Sequence, residues 1–362
     1  MFKIGNIKLT VPLMLAPMAG VSDLPFRTIN RSLGCEFAFL EMISARALAY
    51  RGRKTLRMMA NIPAPLERTT NRDKDISYKL KHNREFSNGL RSPENLLLPA
   101  DKPLGIQLLG EDLQFIQKAM DIINGYDFEI IDFNAACPVH KVIKRGEGVS
   151  LLKEPKKLRE ILKFMVNHSK KPVSLKIRSG WDEDSVNAVD VALYAQDAGI
   201  KYLFIHGRTK IQGYSGMVDY QVIRKVKESL SIPVIGSGDA LSPQLIKKMF
   251  DETGCDGVAI ARGAIGNPWI FRQTGEYLKN GKIIPHPEKD EIIAVMLEHL
   301  RAYVDFYGER VGVVKFRKFF SWYTRGFRKI RRLREKSSRA KTEEEMKSVI
   351  KETSLDRERF VC

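Results

Sequence analysis

Eight short apolar runs recur along the chain, at residues 13–18, 37–42, 104–109, 129–134, 173–178, 202–206, 234–236 and 257–261. Most lead into a stretch whose apolar residues fall at helical spacing. After the third run come Leu113, Ile116, Ala119, Met120 and Ile123. After the fourth, opening on Pro155, come Leu158, Ile161, Leu162 and Met165, and after the fifth Val186, Val189 and Leu193. Continuous apolar runs are strands buried on both faces, and their alternation with amphipathic helices implies parallel strands joined by crossover helices. Eight such units favour a closed α/β architecture, a (β/α)8 TIM barrel, over an open doubly wound sheet. No G-x-G-x-x-G follows the first run, which argues against a dinucleotide-binding domain.

The repeat predicts a barrel over residues 1–280. Residues 44–60 read as a basic helix, and 61–102, with four prolines and no steady period, as an irregular insertion leaving the amino-end face. Pro285 and Pro287 mark a linker, after which Ile292, Ile293, Met296, Leu297 and Leu300 share one face. A small all-helical carboxyl-terminal domain is therefore expected over 285–362. Net charge is +18, and it is concentrated. Residues 310–341 carry thirteen lysines and arginines against Glu335 alone, and 51–102 carry twelve against six acids, which together account for the whole excess. A neutral body with two basic segments points to a polyanionic partner, nucleic acid before membrane surface. Phe316, Phe319, Phe320, Trp322, Tyr323 and Phe327 interleave with these cations; such rings either stack on bases or fill the core of the helical domain.

Cys35, Cys137, Cys255 and Cys362 are widely spaced with no C-x-x-C pair, so neither a disulfide framework nor a structural metal site is expected. No run approaches the ~18 apolar residues of a membrane span. A cytoplasmic, monomeric protein with no membrane or metal partner is the expectation.

Nearly every apolar run ends on residues unusual for a strand: Ala16-Pro17-Met18, Glu41, Gln107, Asn134 with Cys137, Lys176 with Arg178, His206 with Arg208, Ser237-Gly238-Asp239 and Ala261-Arg262-Gly263. In a barrel these ring the carboxyl-end mouth, where sites are built. Cys137 stands before Pro138, where the chain leaves the fourth strand among cations. The glycines after the last two strands suit phosphate, and Lys176 would place a positive charge beside an electron-rich ring. The combination describes a flavin mononucleotide cradle, although the spacing also admits a sugar phosphate.

Read together, APMAGVSDLPFR (16–27), GIQLLG (105–110), DFNAACP (132–138), KIRSGW (176–181), HGRTKIQGYSG (206–216), GSGD (236–239) and ARGAIGNPWIF (261–271) resemble the tRNA-dihydrouridine synthases, most closely their bacterial B-like branch. The resemblance spans 1–60 and 103–328. It implies an FMN-dependent enzyme, reduced by NADPH, that converts uridines of tRNA to 5,6-dihydrouridine. It further implies Cys137 as proton donor to C5 and Ala16, Pro17 and Met18 along the flavin. Gln107 and Lys176 would meet its ring edge and His206 its body, while Ser237, Gly238, Asp239, Ala261 and Arg262 would hold ribityl and phosphate. Asn134 and Arg178 would hold the uracil, and Lys315, Arg317 and Lys318 the RNA. Two positions depart from the family: Ala136 stands where glycine is usual, which would strain a loop turning with positive φ, and Ser237 replaces a commoner asparagine. The residues alone leave open a catalytically idle FMN-containing RNA-binding protein, or a flavin barrel reducing a free pyrimidine or another activated alkene.

Overall fold

The computed structural model describes residues 2–59 and 101–353; the insertion expected at 61–102 lies, but for its last two residues, outside them, as does Cys362. Eleven strands are described. β1 (Phe2–Ile4) and β2 (Ile7–Leu9) form an antiparallel hairpin. β3 (Leu13–Leu15), β4 (Phe37–Phe39), β6 (Leu104–Leu109), β7 (Ile130–Ala135), β8 (Val173–Arg178), β9 (Tyr202–His206), β10 (Val234–Ser237) and β11 (Gly257–Ile260) pair in parallel, each with the next, and β11 returns to β3. The result is a closed eight-stranded barrel. The short β5 (Ile43–Ser44) pairs alongside β6 above β4.

Each of the eight apolar runs supplies one barrel strand. Along a strand the side chains alternate faces, and the inward parity is marked by a second apolar cluster of Met14, Phe37, Phe39, Ile130, Tyr202, Phe204, Ile235 and Ala259. Gly105 belongs to that parity: a Cβ there would lie 2.4 Å from the Phe39 ring. The hairpin, not anticipated from the sequence, adds Ile4 and Leu9 to this cluster, and the Tyr202 hydroxyl accepts from the Gly5 N–H at 2.8 Å. It closes the amino-end of the barrel, so the opening lies at the carboxyl end.

The crossover helices bury the faces the periodicity marks, with three differences. Leu113 is exposed while Ile116, Ala119, Met120 and Ile123 are buried. Helix Ala188–Asp197 buries Ala188, Val191, Ala192 and Ala195 and leaves Leu193 exposed, because small residues allow the closer approach, while Val186 lies before the helix, exposed, in a bridge with Gly180. The basic stretch at 44–60 is two short helices, Ala45–Ala49 and Arg53–Met59, broken where Arg51 turns to φ +50°.

Four helices, Lys289–Tyr307, Glu309–Tyr323, Arg331–Arg339 and Glu343–Glu352, follow the barrel. Phe316, Phe319, Phe320 and Tyr323 are buried between them, so these rings are core and not base-stacking platforms. Phe319 packs on Phe26 of the barrel helix Leu24–Ser32, ring centres 5.6 Å apart. Asp23 caps that helix and also accepts from the Tyr303 and Tyr307 hydroxyls at 2.8–2.9 Å, tying barrel to helices beside the mouth. Burial outweighs these bonds and raises its carboxyl above the usual range. No helix among the described residues is long and apolar enough to cross a membrane.

Candidate active site

Strand parity brings the polar strand-end residues inward on one floor. Register sets Gln107 beside Asp132, Asn134 beside Lys176, and Arg178 beside His206. Gln107 Nε2 donates to Asp132 Oδ2 and Asn134 Nδ2 to Gln107 Oε1, both at 2.7 Å, while Ser174 Oγ donates to Asp132 Oδ1 at 2.6 Å. Asn134 Oδ1 then accepts from the N–H groups of Ala136 (3.0 Å) and Cys137 (2.9 Å). Asn134, expected at the uracil, shapes the thiol loop through this oxygen. Arg178, also expected there, is 2% exposed and bridges two loops: Nε donates to the Ala136 carbonyl at 3.0 Å, and Nη1 to those of Thr209 and Gly213 at 2.9 Å. Ala136 does not have positive φ, so its methyl does not strain the turn.

Cys137 is half-buried. Its Cβ and carbonyl press so closely on Gly148, at φ +63°, that a Cβ there would meet them at 3.1 and 2.8 Å. Burial raises the thiol above its ordinary value against the lowering pull of the Arg178 and Lys176 charges, so it carries its proton at neutral pH. Lys176 is half-buried, and burial lowers its affinity for a proton, with Asp132 opposing. Among the described residues its ammonium has no hydrogen-bond or ion-pair partner. His206 is pushed down to about 2 by burial and by the surrounding Arg178, Lys176, Arg208 and Arg262 charges, and is therefore neutral.

Across the mouth, the chain turns after β10 through Gly238 (φ +111°) and Asp239 (φ +45°). A Cβ at Gly238 would lie 2.8 Å from the His206 ring, and one at Gly263 would lie 2.0 Å from the Ala240 carbonyl. Among the described residues the N–H groups of Gly238, Asp239 and Ala240 meet no protein acceptor. Asp239 is neutralised by Arg208, whose Nη1 donates to it at 3.0 Å, and by Arg262 at 3.0 Å. Consecutive unspent amides beside two arginines make an anion-binding turn. Ser237 instead donates to the Ile205 carbonyl at 3.0 Å. Tyr214, not singled out from the sequence, is exposed above the same wall, 4.6 Å from the Arg262 guanidinium and 5.7 Å from that of Arg178. Asp132, Ser174 and Tyr214 join the site beyond the residues expected from the sequence; a carboxylate at inward parity within an apolar strand is the sequence signal for Asp132.

On the helical side, Arg317 donates to the Ala340 carbonyl at 3.1 and 2.6 Å, and Lys318 to the Gly20 carbonyl. Arg317 and Lys318, expected at the RNA, thus also tie elements within the protein, while Lys315 lies over the Tyr307 ring at 4.5 Å. Arg325, Arg328 and Arg332 are exposed. No group of three or more metal-ligating side chains occurs among the described residues.

These features define a closed parallel (β/α)8 barrel protein whose candidate site, with a half-buried thiol, a lysine and a glycine turn, lies at the carboxyl-end mouth. The family model described as Dihydrouridine synthase (Dus) matches residues 14–358. The chain is 38% identical over 321 residues to tRNA-dihydrouridine synthase B of Vibrio parahaemolyticus, covering 89% of this chain and 88% of that one. It is 36% identical to the protein of that name in Pseudomonas putida (89% and 85%), and 35% identical to a probable tRNA-dihydrouridine synthase of Rickettsia conorii (90% and 88%). The chain belongs to the dihydrouridine synthase family.

Proposed function

We propose that this protein reduces specific uridines of tRNA to 5,6-dihydrouridine, using FMN reduced by NADPH, with Cys137 giving the proton to C5. The observation that carries the reading is a thiol kept protonated on a braced loop at the same mouth as the unpartnered Lys176. Relatives named tRNA-dihydrouridine synthase over nine-tenths of the chain support the substrate. The residues fit the cofactor: Lys176 and Gln107 suit an electron-rich ring edge, neutral His206 its body, and Ala16, Pro17 and Met18 its flank. The turn at Ser237, Gly238 and Asp239, with Ala261 and Arg262, suits ribityl and phosphate. When bound, FMN supplies the hydride for C6.

The remaining work falls to the chain itself. Cys137 holds its hydrogen at Sγ until the base presents C5, and the Arg178 and Lys176 charges favour the thiolate left behind. Asn134 and Arg178 keep the sulfur from swinging away by fixing the backbone on either side of Ala136. Reaching the mouth requires the base to leave its stack, and residues 285–362 serve as the RNA-binding domain through exposed arginines.

The test is dihydrouridine formation by the purified, flavin-loaded protein on unmodified tRNA and on free uracil. Product on tRNA alone is expected, and Cys137→Ala is expected to lower the rate about 10²–10⁴-fold. Reduction of free uracil but not tRNA overturns the substrate. An unimpaired Cys137→Ala overturns the proton donor. Flavin binding with no product on any RNA would leave an idle RNA-binding protein.

A further inference from the structure

The turn that follows Ala16, Pro17 and Met18 has an unpacked apex. Met18 opens it: the Met18 N–H donates to Ser22 Oγ at 2.9 Å, and the Met18 carbonyl accepts from the Val21 and Ser22 N–H groups, both at 3.0 Å. Gly20 stands at the apex, exposed, with φ +72°, and a Cβ built there would meet nothing within 4 Å. Two charged side chains hold it instead of packing. Glu41 Oε2 accepts from the Gly20 N–H, and Lys318 Nζ donates to the Gly20 carbonyl. An anion at the N–H and a cation at the carbonyl make both bonds charge-assisted. They come from different parts of the molecule: Glu41 follows β4 of the barrel, while Lys318 belongs to the helix Glu309–Tyr323. Three residues on, Asp23 is met by Tyr303 and Tyr307, so the helical domain grips this turn at two points. Lys318 is half-buried, its ammonium 5.1 and 5.8 Å from the Phe319 and Trp322 ring centres, and much of its freedom is spent before it meets Gly20.

We propose that Lys318 is a positioning residue for the flavin site: with Glu41 it pins the Gly20 turn and thereby the segment 16–18 beside the cofactor. The helical domain then completes the flavin cradle from outside the barrel, in addition to docking RNA. This inference rests on the FMN reading for its consequence, though not for its geometry. An ammonium carries three donors, so holding Gly20 leaves Lys318 able to meet a phosphate as well. Glu41, a strand-end residue with no part in the reaction itself, acts as the barrel's half of the clasp. Because the Gly20 carbonyl is exposed, water replaces a missing ammonium there. Removing Lys318 therefore costs the turn its order and leaves the fold intact.

The test compares Lys318→Met, which keeps the stem and removes the donor, with Lys318→Arg, which restores one. In the flavin-free protein, hydrogen exchange across residues 18–22 should be about threefold or more faster in Lys318→Met and near wild type in Lys318→Arg. By fluorescence titration FMN should bind about 3- to 10-fold more weakly to Lys318→Met, with the circular dichroism of the bound flavin altered, and Lys318→Arg should recover both. Glu41→Gln keeps an acceptor and should resemble wild type, whereas Glu41→Ala should resemble Lys318→Met. Exchange or FMN affinity within about twofold of wild type in Lys318→Met overturns the proposal. So does a Lys318→Arg as impaired as Lys318→Met, which would assign the effect to packing of the side chain. Should Lys318→Met fail to fold, Glu41→Ala decides by the same two readouts. A wild type that takes up no flavin would sink the FMN reading alone, since exchange in the flavin-free protein still judges the clasp.

Discussion

Replacing Arg178 with lysine tests whether one guanidinium holds the two loops over the mouth. Its Nε reaches the Ala136 carbonyl on the thiol loop, and its Nη1 the Thr209 and Gly213 carbonyls on the loop after β9. A lysine keeps the charge but offers a single compact ammonium, which lacks the planar fork needed to donate to both sides. At least one charge-assisted bond across the bridge is lost, worth about 1.5–3 kcal/mol. Such a loss raises the population of the opened loops by about 13- to 160-fold. Hydrogen exchange read by mass spectrometry reports this directly. Lys210 and Ile211 N–H groups bond to the Gly180 and Trp181 carbonyls, and the Val149 N–H to that of Cys137. Peptides over 135–149 and 207–216 should both exchange faster, while helix Pro155–His168 stays unchanged. Exchange within about twofold of wild type in both loops would refute the bridge, and loosening of one loop alone would show that the guanidinium does not join them.

Tyr303→Phe removes the hydroxyl that meets both Asp23 oxygens, and denaturant titration should show a loss of about 1.5–3 kcal/mol. Because burial raises the Asp23 carboxyl in the folded chain, the folded state takes up that proton more readily than the unfolded one. Its contribution to stability therefore falls as pH climbs from the ordinary carboxylate value through the raised one, and Asp23→Asn should flatten that part of the stability–pH curve. His206, held at about 2, and His299, held at about 3 by burial, should show ring proton resonances that do not titrate between about pH 5 and 8. Gly238→Ala would drive a methyl into His206 at positive φ, and fluorescence titration should show weaker FMN binding with the helical domain's melting unchanged. Changing Arg325, Arg328 and Arg332 together to glutamine should reduce the log–log salt slope of tRNA binding by roughly 2–3, with flavin content unaltered.

The barrel was legible because its strands are buried on both faces, so each writes itself as an apolar run with helices between. The period of two also carried the site, since Gln107, Asn134, Lys176 and His206 share the inward parity with Ile130 and Phe204. The hairpin at Phe2–Leu9 was not legible: two three-residue strands carry too few side chains for any period to stand out. Nor could the large apolar residues near 186–193 reveal that alanines form the packed face of their helix.

Residue types and their order were enough to name the thiol, the cations around it and the glycine turns, because these depend on local chemistry and chain direction. Roles depended on partners distant in sequence. Arg178 became a brace for the thiol loop, and Arg317 and Lys318 ties between helices or between helices and barrel, only once folding brought carbonyls from 23 to 298 residues away within hydrogen-bond reach, whereas Asn134 shapes that loop through N–H groups only two and three residues on. The protonation of Cys137, Asp132 and His206 likewise follows from burial and from neighbouring charges on other strands, quantities that a linear chain does not possess.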